Sequence, residues 1–131
     1  MEIQMDKSSI KVLVVDDEPD ITKFTAKILR YDGYAALEAT DGAQALDLFE
    51  KEHPQVCLLD MHLGCSKIKG MEVLESIKKS DEKVEVMVIT RITDPETFDK
   101  VKKLGVKHYL LKPLAMEDWL NKLHDVTDKL L

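Results

Sequence analysis

The chain contains the stretch Lys11-Val12-Leu13-Val14-Val15-Asp16-Asp17-Glu18-Pro19, in which four consecutive apolar residues stand directly before an acidic run. A short apolar segment without polar alternation is typical of a parallel strand that is covered on both faces. Pro19 suits the first turn of a helix, because its missing backbone N–H leaves no hydrogen bond unmade there. The stretch therefore predicts a buried strand that ends before Asp16 and a helix that begins near Pro19.

The same alternation of strand and helix continues to the C-terminus. Further strands are predicted at residues 34–40, 56–59, 84–89 and 107–111, and helical spacing of apolar residues follows each of the five strands. Right-handed crossovers between parallel strands favour an α/β fold, a doubly wound five-stranded parallel sheet with five helices in a three-layer sandwich. The second and fifth strands are the more polar and should form the edges. The fourth helix, which begins at Asp94-Pro95, is predicted to bury Phe98, Val101 and Leu104.

Composition limits the class of protein. The chain has 131 residues, 44% hydrophobic and 34% charged, which fits one compact domain at residues 10–131 behind a polar leader at residues 1–9. A net charge of -6 argues against direct nucleic-acid binding. No apolar run is long enough to span a membrane, and the leader lacks a signal-peptide core, so a cytoplasmic location is expected. Cys57 and Cys65 lack redox-motif spacing and are predicted to be free thiols.

Polar side chains follow four of the predicted strands. Asp16 and Asp17 follow the first, Asp60 the third, Thr90 the fourth and Lys112 the fifth. Because ligands of open parallel sheets bind at the carboxyl ends of the strands, these groups should meet in one pocket. Clustered carboxylates repel unless a cation is present, and Mg²⁺ prefers oxygen ligands and often shares its site with phosphate. A carboxylate beside a metal ion and a lysine is a plausible nucleophile that would form an acyl phosphate.

Four segments carry a resemblance to a known family: Val14-Val15-Asp16-Asp17-Glu18-Pro19, Leu58-Leu59-Asp60-Met61, Val88-Ile89-Thr90 and Leu111-Lys112-Pro113. In this order, each at the end of a strand, they resemble the response-regulator receiver domains of two-component signalling. The likeness extends from about Lys11 to Leu131. It implies a flavodoxin-like fold with strand order 2-1-3-4-5.

The resemblance also implies roles at the pocket. Asp60 would accept a phosphoryl group from a sensor histidine kinase or a phosphotransfer protein in a reaction that depends on Mg²⁺. Asp17 and Asp60 would bind the ion directly, Asp16 would act through water, and the backbone carbonyl of His62 would complete the protein ligands. The chain would be a signalling phosphoacceptor of a phosphorelay rather than an enzyme.

The remaining implied roles concern signal output. Thr90 and Lys112 would stabilise the phosphoryl group, and Tyr109 would change rotamer as Thr90 moves. The Lys112-Pro113 bond is cis in the family. A downstream protein, an output domain or a second copy in a homodimer would dock on the face formed by the fourth helix, the fifth strand and the fifth helix. The chain would either act alone or be part of a longer regulator.

The sequence departs from the family pattern at two places. Leu63 is followed by Gly64 where the family usually has proline, and Gly70 comes about two positions late, which predicts a longer, more basic and more mobile loop at residues 64–69. Arg91 follows Thr90 where the family usually has a small residue, and we expect it to restrict access to the acceptor. Ile92 offers no polar group to align an attacking water, which predicts a long-lived phosphoaspartate.

Three other functions remain open from the residues alone. A degenerate receiver would bind partners without phosphorylation, and Arg91 keeps that alternative open. An aspartate-nucleophile phosphatase would need Asp-x-Asp after the first strand, whereas the chain has Asp16-Asp17-Glu18. A flavin-binding module would need a cradle for phosphate, and the acidic loop after Val15 would repel one.

Overall fold

The structure is a computed structural model that describes residues 6–64 and 66–131. Most of the predicted leader and the predicted free thiol of Cys65 lie outside these residues. The strands are β1 Lys11–Val15, β2 Ala35–Ala39, β3 Val56–Leu59, β4 Glu85–Thr90 and β5 His108–Leu111. The helices are α1 Pro19–Tyr31, α2 Gly42–Glu52, α3 Gly70–Ser80, α4 Pro95–Lys103 and α5 Met116–Asp128. A short 3₁₀ turn, Lys7–Ser9, precedes β1.

The five strands form one parallel sheet in the order β2-β1-β3-β4-β5. This confirms the predicted topology and places β2 and β5 at the edges. All residues of β3 are buried, whereas those of β5 are half-buried or exposed. The central strands β1 and β3 therefore lie deepest in the domain, and the residues that follow them come out side by side at one edge of the sheet.

Helices cover both faces of the sheet. Successive residues of β1 point to opposite faces, so Leu13 and Val15 belong to one apolar cluster while Val12 and Val14 belong to another. The first cluster includes side chains from α2, α3 and α4, and the second includes side chains from α1 and α5. Two cores separated by a sheet explain why the strands are apolar at every position.

Phe98 contradicts the prediction that α4 buries it. Val101 is buried, but Phe98 is 43% exposed. The Phe98 ring meets the ring of Tyr109 edge-on, with the ring centroids 5.2 Å apart. Because Tyr109 belongs to the edge strand β5, no further strand lies beyond it to cover the outer side of Phe98.

Candidate functional site

The ends of β1 and β3 bring the acidic residues together. Val15 pairs with Leu59, so Asp16 and Asp60 follow at the same level of the sheet, and the Asp60 N–H donates to the Val15 carbonyl at 2.9 Å. Carboxylate oxygens of Asp16, Asp17 and Asp60 all lie within 4.8 Å of one another. Asp16 and Asp60 are buried, and Asp17 is half-buried. The structure thus brings the three carboxylates together at one edge of the sheet, as the sequence predicted.

Lys112 connects two of the three carboxylates. Its Nζ lies 2.6 Å from Asp16 Oδ2 and 2.8 Å from Asp60 Oδ2. The backbone positions it, because the Lys112 N–H donates to the Thr90 carbonyl at 2.8 Å beyond the end of β5. The Lys112-Pro113 bond is cis, as the family resemblance implied. Burial by itself would lower the pKa of Lys112, but the hydrogen bonds and charges of Asp16 and Asp60 together outweigh it and raise the pKa above its usual value. The ammonium group therefore stays charged at neutral pH.

The three carboxylates differ in what holds them. Asp60 accepts the His62 N–H on Oδ1 at 2.9 Å and the Lys112 ammonium on Oδ2. Asp16 accepts the Glu18 N–H on Oδ1 at 3.0 Å in addition to Lys112. In the part of the chain that the structure describes, the Asp17 carboxylate has no hydrogen bond or ion pair with another residue. Among the residues that the structure describes, therefore, none occupies the Asp17 oxygens, which can serve an external ligand.

This donor set fits a hard divalent cation. Three carboxyl groups beside one ammonium give the site an excess of acidic over basic groups, which a divalent ion would balance. All the side-chain donors are oxygens, and oxygen ligands are those that Mg²⁺ prefers. His62 lines the same cleft as Asp17 and Asp60. The site can thus bind a cation through several strand ends at once.

Thr90 and Tyr109 are connected through Ile92, in the loop between β4 and α4. The Thr90 side chain is fully buried at the end of β4, and its Oγ1 accepts the Ile92 N–H at 3.3 Å. The Tyr109 hydroxyl donates to the Ile92 carbonyl at 2.7 Å. Both residues therefore bond to the same peptide segment of the β4–α4 loop. Burial, together with the negative charges of Asp94 and Asp60, raises the pKa of Tyr109, so its hydroxyl remains a donor at neutral pH.

Arg91 stands at the rim of the cleft. It is exposed, and within residues 6–64 and 66–131 it forms no ion pair. It lines the acidic cleft with Asp17, Asp60 and Lys112. It also lines a mostly apolar cleft that includes Phe24 and Trp119 and that shares Asp60 and Lys112 with the acidic cleft. Sequence reasoning placed Arg91 beside the acceptor but gave no indication of the neighbouring apolar cleft. The sequence does not predict this cleft, because the exposure of Phe24 depends on how α1 packs against the sheet.

The loop between β3 and α3 is attached to the rest of the domain by hydrogen bonds. Ser66 Oγ accepts the Gly42 N–H at 3.0 Å and donates to the Ile68 carbonyl at 2.7 Å. The Lys69 ammonium donates to the Gly64 carbonyl at 3.0 Å. The bond to Gly42 connects the longer loop to the first residue of α2, and the other two bonds join residues within the loop. Sequence reasoning did not identify Ser66, because a serine in a polar loop has no distinguishing pattern.

Comparison with known proteins decides the family. A sequence profile described as "Response regulator receiver domain" matches residues 12–124. The chain belongs to this family. Within it, the chain is similar to sporulation initiation phosphotransferase F of Bacillus subtilis, with 32% identity over 108 residues that cover 82% of this chain and 86% of that protein.

Two further relatives show the range of contexts. The transcriptional regulatory protein TrcR of Mycobacterium tuberculosis is 33% identical, and the match covers 90% of this chain but only 45% of that longer protein. The crystal structure of a CheY-like response regulator receiver domain protein from Methanospirillum hungatei superposes with a TM-score of 0.85 at 27% identity, covering 92% of this chain and 94% of that one. This receiver domain therefore resembles both single-domain proteins and one part of a larger regulator. In the described residues, no helix is long and apolar enough to cross a membrane.

Proposed function

We propose that this receiver domain accepts a phosphoryl group on Asp60 in a reaction that depends on Mg²⁺. The observation that carries the proposal is the meeting of Asp16, Asp17, Asp60 and Lys112 in one pocket within a domain of this family. Asp60 Oδ1 and Oδ2 are each held by a donor, so the nucleophile is fixed in orientation before a donor molecule arrives. Positioning and charge neutralisation are most of what phosphoryl transfer requires.

The metal ligands in this proposal are the side chains of Asp17 and Asp60, with Asp16 acting through water and the His62 backbone carbonyl completing the set. When bound, Mg²⁺ supplies positive charge that neutralises the incoming phosphoryl oxygens. The chain's own residues do the rest. Asp60 would attack, forming a bond from its carboxylate oxygen to phosphorus as the bond from phosphorus to the donor breaks. The donor's leaving atom, the imidazole nitrogen of a phosphohistidine or the carboxylate oxygen of acetyl phosphate, would take the electron pair of that bond.

The remaining residues stabilise the product and transmit the change. Lys112 keeps its charge at neutral pH and can move from Asp16 to the new phosphoryl oxygens. Thr90 would donate its hydroxyl to the phosphoryl group and so give up the Ile92 N–H. Because Tyr109 is bonded to the Ile92 carbonyl, a shift of this loop reaches β5 and α4.

The partners follow from this role. We propose that a sensor histidine kinase or a phosphotransfer protein supplies the phosphoryl group in the cytoplasm, and that the chain turns over no external substrate. A downstream protein, an output domain or a second copy would dock on the α4–β5–α5 face, where Phe98 and Leu111 are 43% and 47% exposed. The CAI-1 autoinducer sensor kinase/phosphatase CqsS of Vibrio cholerae is 27% identical over 124 residues, which is consistent with a kinase-linked pathway.

Arg91 and Ile92 adjust the reaction in our proposal. The exposed guanidinium at the rim restricts access of small donors to Asp60. Ile92, at the same cleft, provides no group that aligns a water molecule for attack on the phosphoaspartate. We therefore expect a phosphoaspartate that lasts minutes or longer, and decay within seconds would contradict this part of the proposal.

Mass spectrometry of the intact chain after incubation with acetyl phosphate and Mg²⁺ tests the function. We expect a gain of one phosphoryl group that Asp60→Asn cannot make and that EDTA prevents. Asp99→Asn is the matched control, because Asp99 is an exposed aspartate of α4 that belongs to neither the cleft nor the acidic cluster. No gain in the native chain, or an equal gain in Asp60→Asn, would favour a receiver that binds partners without phosphorylation.

A further inference from the structure

Gly64 lies against Asp17, the carboxylate of the site that has no hydrogen bond to another residue within 6–64 and 66–131. Its φ is +45°, in the left-handed region. A Cβ added at Gly64 would come closer to Asp17 Oδ2 than 3.0 Å, a separation that real Cβ atoms essentially never show. The loop backbone thus occupies the space next to the Asp17 carboxylate that a side chain at position 64 would need.

The loop is held more firmly than the carboxylate. Lys69 Nζ donates to the Gly64 carbonyl at 3.0 Å, and the Ser66 N–H donates to the Leu63 carbonyl at 2.8 Å. The side chain of Leu63 is buried in the core. By contrast, the part of Asp17 that meets Gly64 is the end of a rotatable side chain without a bonding partner in the described chain. If a side chain at position 64 forces the loop backbone and the Asp17 carboxylate apart, the carboxylate is therefore the group that moves.

We infer that Gly64 is a positioning residue for metal binding, because its missing side chain lets the Asp17 carboxylate lie where a divalent cation can reach it together with Asp60. This inference rests on the proposed function. To restore ordinary van der Waals contact with a Cβ, the carboxylate would have to move by about 1 Å. Mg²⁺ requires nearly ideal octahedral geometry with short bonds, so it tolerates such a shift poorly, whereas the longer and more variable coordination of Ca²⁺ tolerates it better.

The loop at residues 64–69, where this chain departs from the usual family pattern, contributes to metal binding in this inference. A glycine stands at position 64 in a loop that is longer than usual, and Lys69 within that loop binds the Gly64 carbonyl. The loop therefore fixes the Gly64 backbone beside the Asp17 carboxylate. Selectivity between divalent cations becomes a property of this loop as well as of the carboxylates.

Titration calorimetry of the native chain, Gly64→Ala and Gly64→Asn with Mg²⁺ and with Ca²⁺ tests the inference. Replacing groups that orient metal ligands typically weakens metal binding about 10- to 100-fold, so we expect the Mg²⁺ Kd of both variants to rise about tenfold. The Ca²⁺ Kd should rise by less than about threefold, because Ca²⁺ accepts the displaced carboxylate. Asparagine introduces a Cβ, as alanine does, but tolerates the left-handed backbone better. The asparagine variant therefore keeps the test valid if the alanine variant does not fold.

Gly105→Ala is the matched control. Gly105 also has a positive φ, +88°, but a Cβ there would meet nothing within 4 Å, so this variant carries backbone strain without a contact. Its Mg²⁺ affinity should stay within about twofold of the native value. Unchanged Mg²⁺ binding in the Gly64 variants, equal weakening of both metals, or equal weakening in Gly105→Ala would each overturn the inference. A native chain that does not bind Mg²⁺ would instead overturn the function on which it rests.

Discussion

Replacing Asp17 with asparagine should stabilise the metal-free protein. Two negative charges no more than 4.8 Å apart repel by at least about 3.5 kcal/mol at an effective dielectric constant of about 20. Asp17 faces two such neighbours, Asp16 and Asp60, and the ammonium of Lys112 offsets about one of these repulsions. Because Asp17 is half-buried, solvent screening reduces the remainder to about 1–2 kcal/mol. In a domain of this size that gain corresponds to a rise in Tm of about 3–8 °C.

Mg²⁺ should reverse the order of stability. A ligand at 100 times its Kd stabilises the folded state by about 2.7 kcal/mol, and Asp17→Asn loses most of this because it loses a metal ligand. Thermal unfolding followed by circular dichroism, first in EDTA at low salt and then with increasing Mg²⁺, should show the native and variant Tm values crossing. Asp99→Asn removes the same charge from an exposed site, and its Tm should stay close to the native value under both conditions. A variant that is less stable than the native chain in EDTA would refute the reasoning.

Cys57 should resist iodoacetamide at about pH 8 in the folded chain and react in urea, because burial raises the pKa of its thiol to about 12; equal labelling of the Cys57 peptide in both states would contradict this. Lys112→Met should lower the free energy of unfolding by a constant amount between about pH 7 and 10, measured in urea. The pKa of Lys112 is raised in the folded state, so the stabilisation that its charge provides is present below the unfolded pKa of 10.5 and is lost as the pH rises through the folded value. If the native chain and Lys112→Met already had equal free energies of unfolding at neutral pH, the charged pairing of Lys112 with Asp16 and Asp60 would be disproved. Arg91→Ala should speed phosphorylation by acetyl phosphate several-fold, with Arg30→Ala as the control away from the cleft; an unchanged rate would show that Arg91 does not restrict access.

The order of elements was predictable because the central strands are apolar at every position. Val12 to Val15 and Val56 to Leu59 cannot place one face in water, so helices on both sides and parallel strands follow from the pattern. The strand order itself came from the family resemblance. Burial of individual helical residues was less predictable, since spacing identifies an apolar face but not how far the sheet beneath it extends. Phe98 is exposed for this reason, at the outer side of the edge strand.

The candidate site was partly predictable for a similar reason. Residues that follow parallel strands lie at the same edge of the sheet, so the proximity of Asp60 and Lys112 could be predicted from the sequence alone. The contact between Gly64 and Asp17 could not be predicted, because it depends on the path of a loop whose length departs from the family. A glycine in a loop usually indicates a turn, and nothing in the sequence distinguishes a turn from a close approach to a carboxylate.

Chemical trapping of the phosphorylated residue tests the central proposal most directly. Borohydride reduces an aspartyl phosphate to homoserine, so peptide mass spectrometry after acetyl phosphate, Mg²⁺ and borohydride locates the acceptor. We expect homoserine at position 60 alone, and none when EDTA replaces Mg²⁺. Homoserine at position 16 or 17, or labelling of Asp60 that persists without Mg²⁺, would contradict the assignment of the nucleophile and its metal ligands.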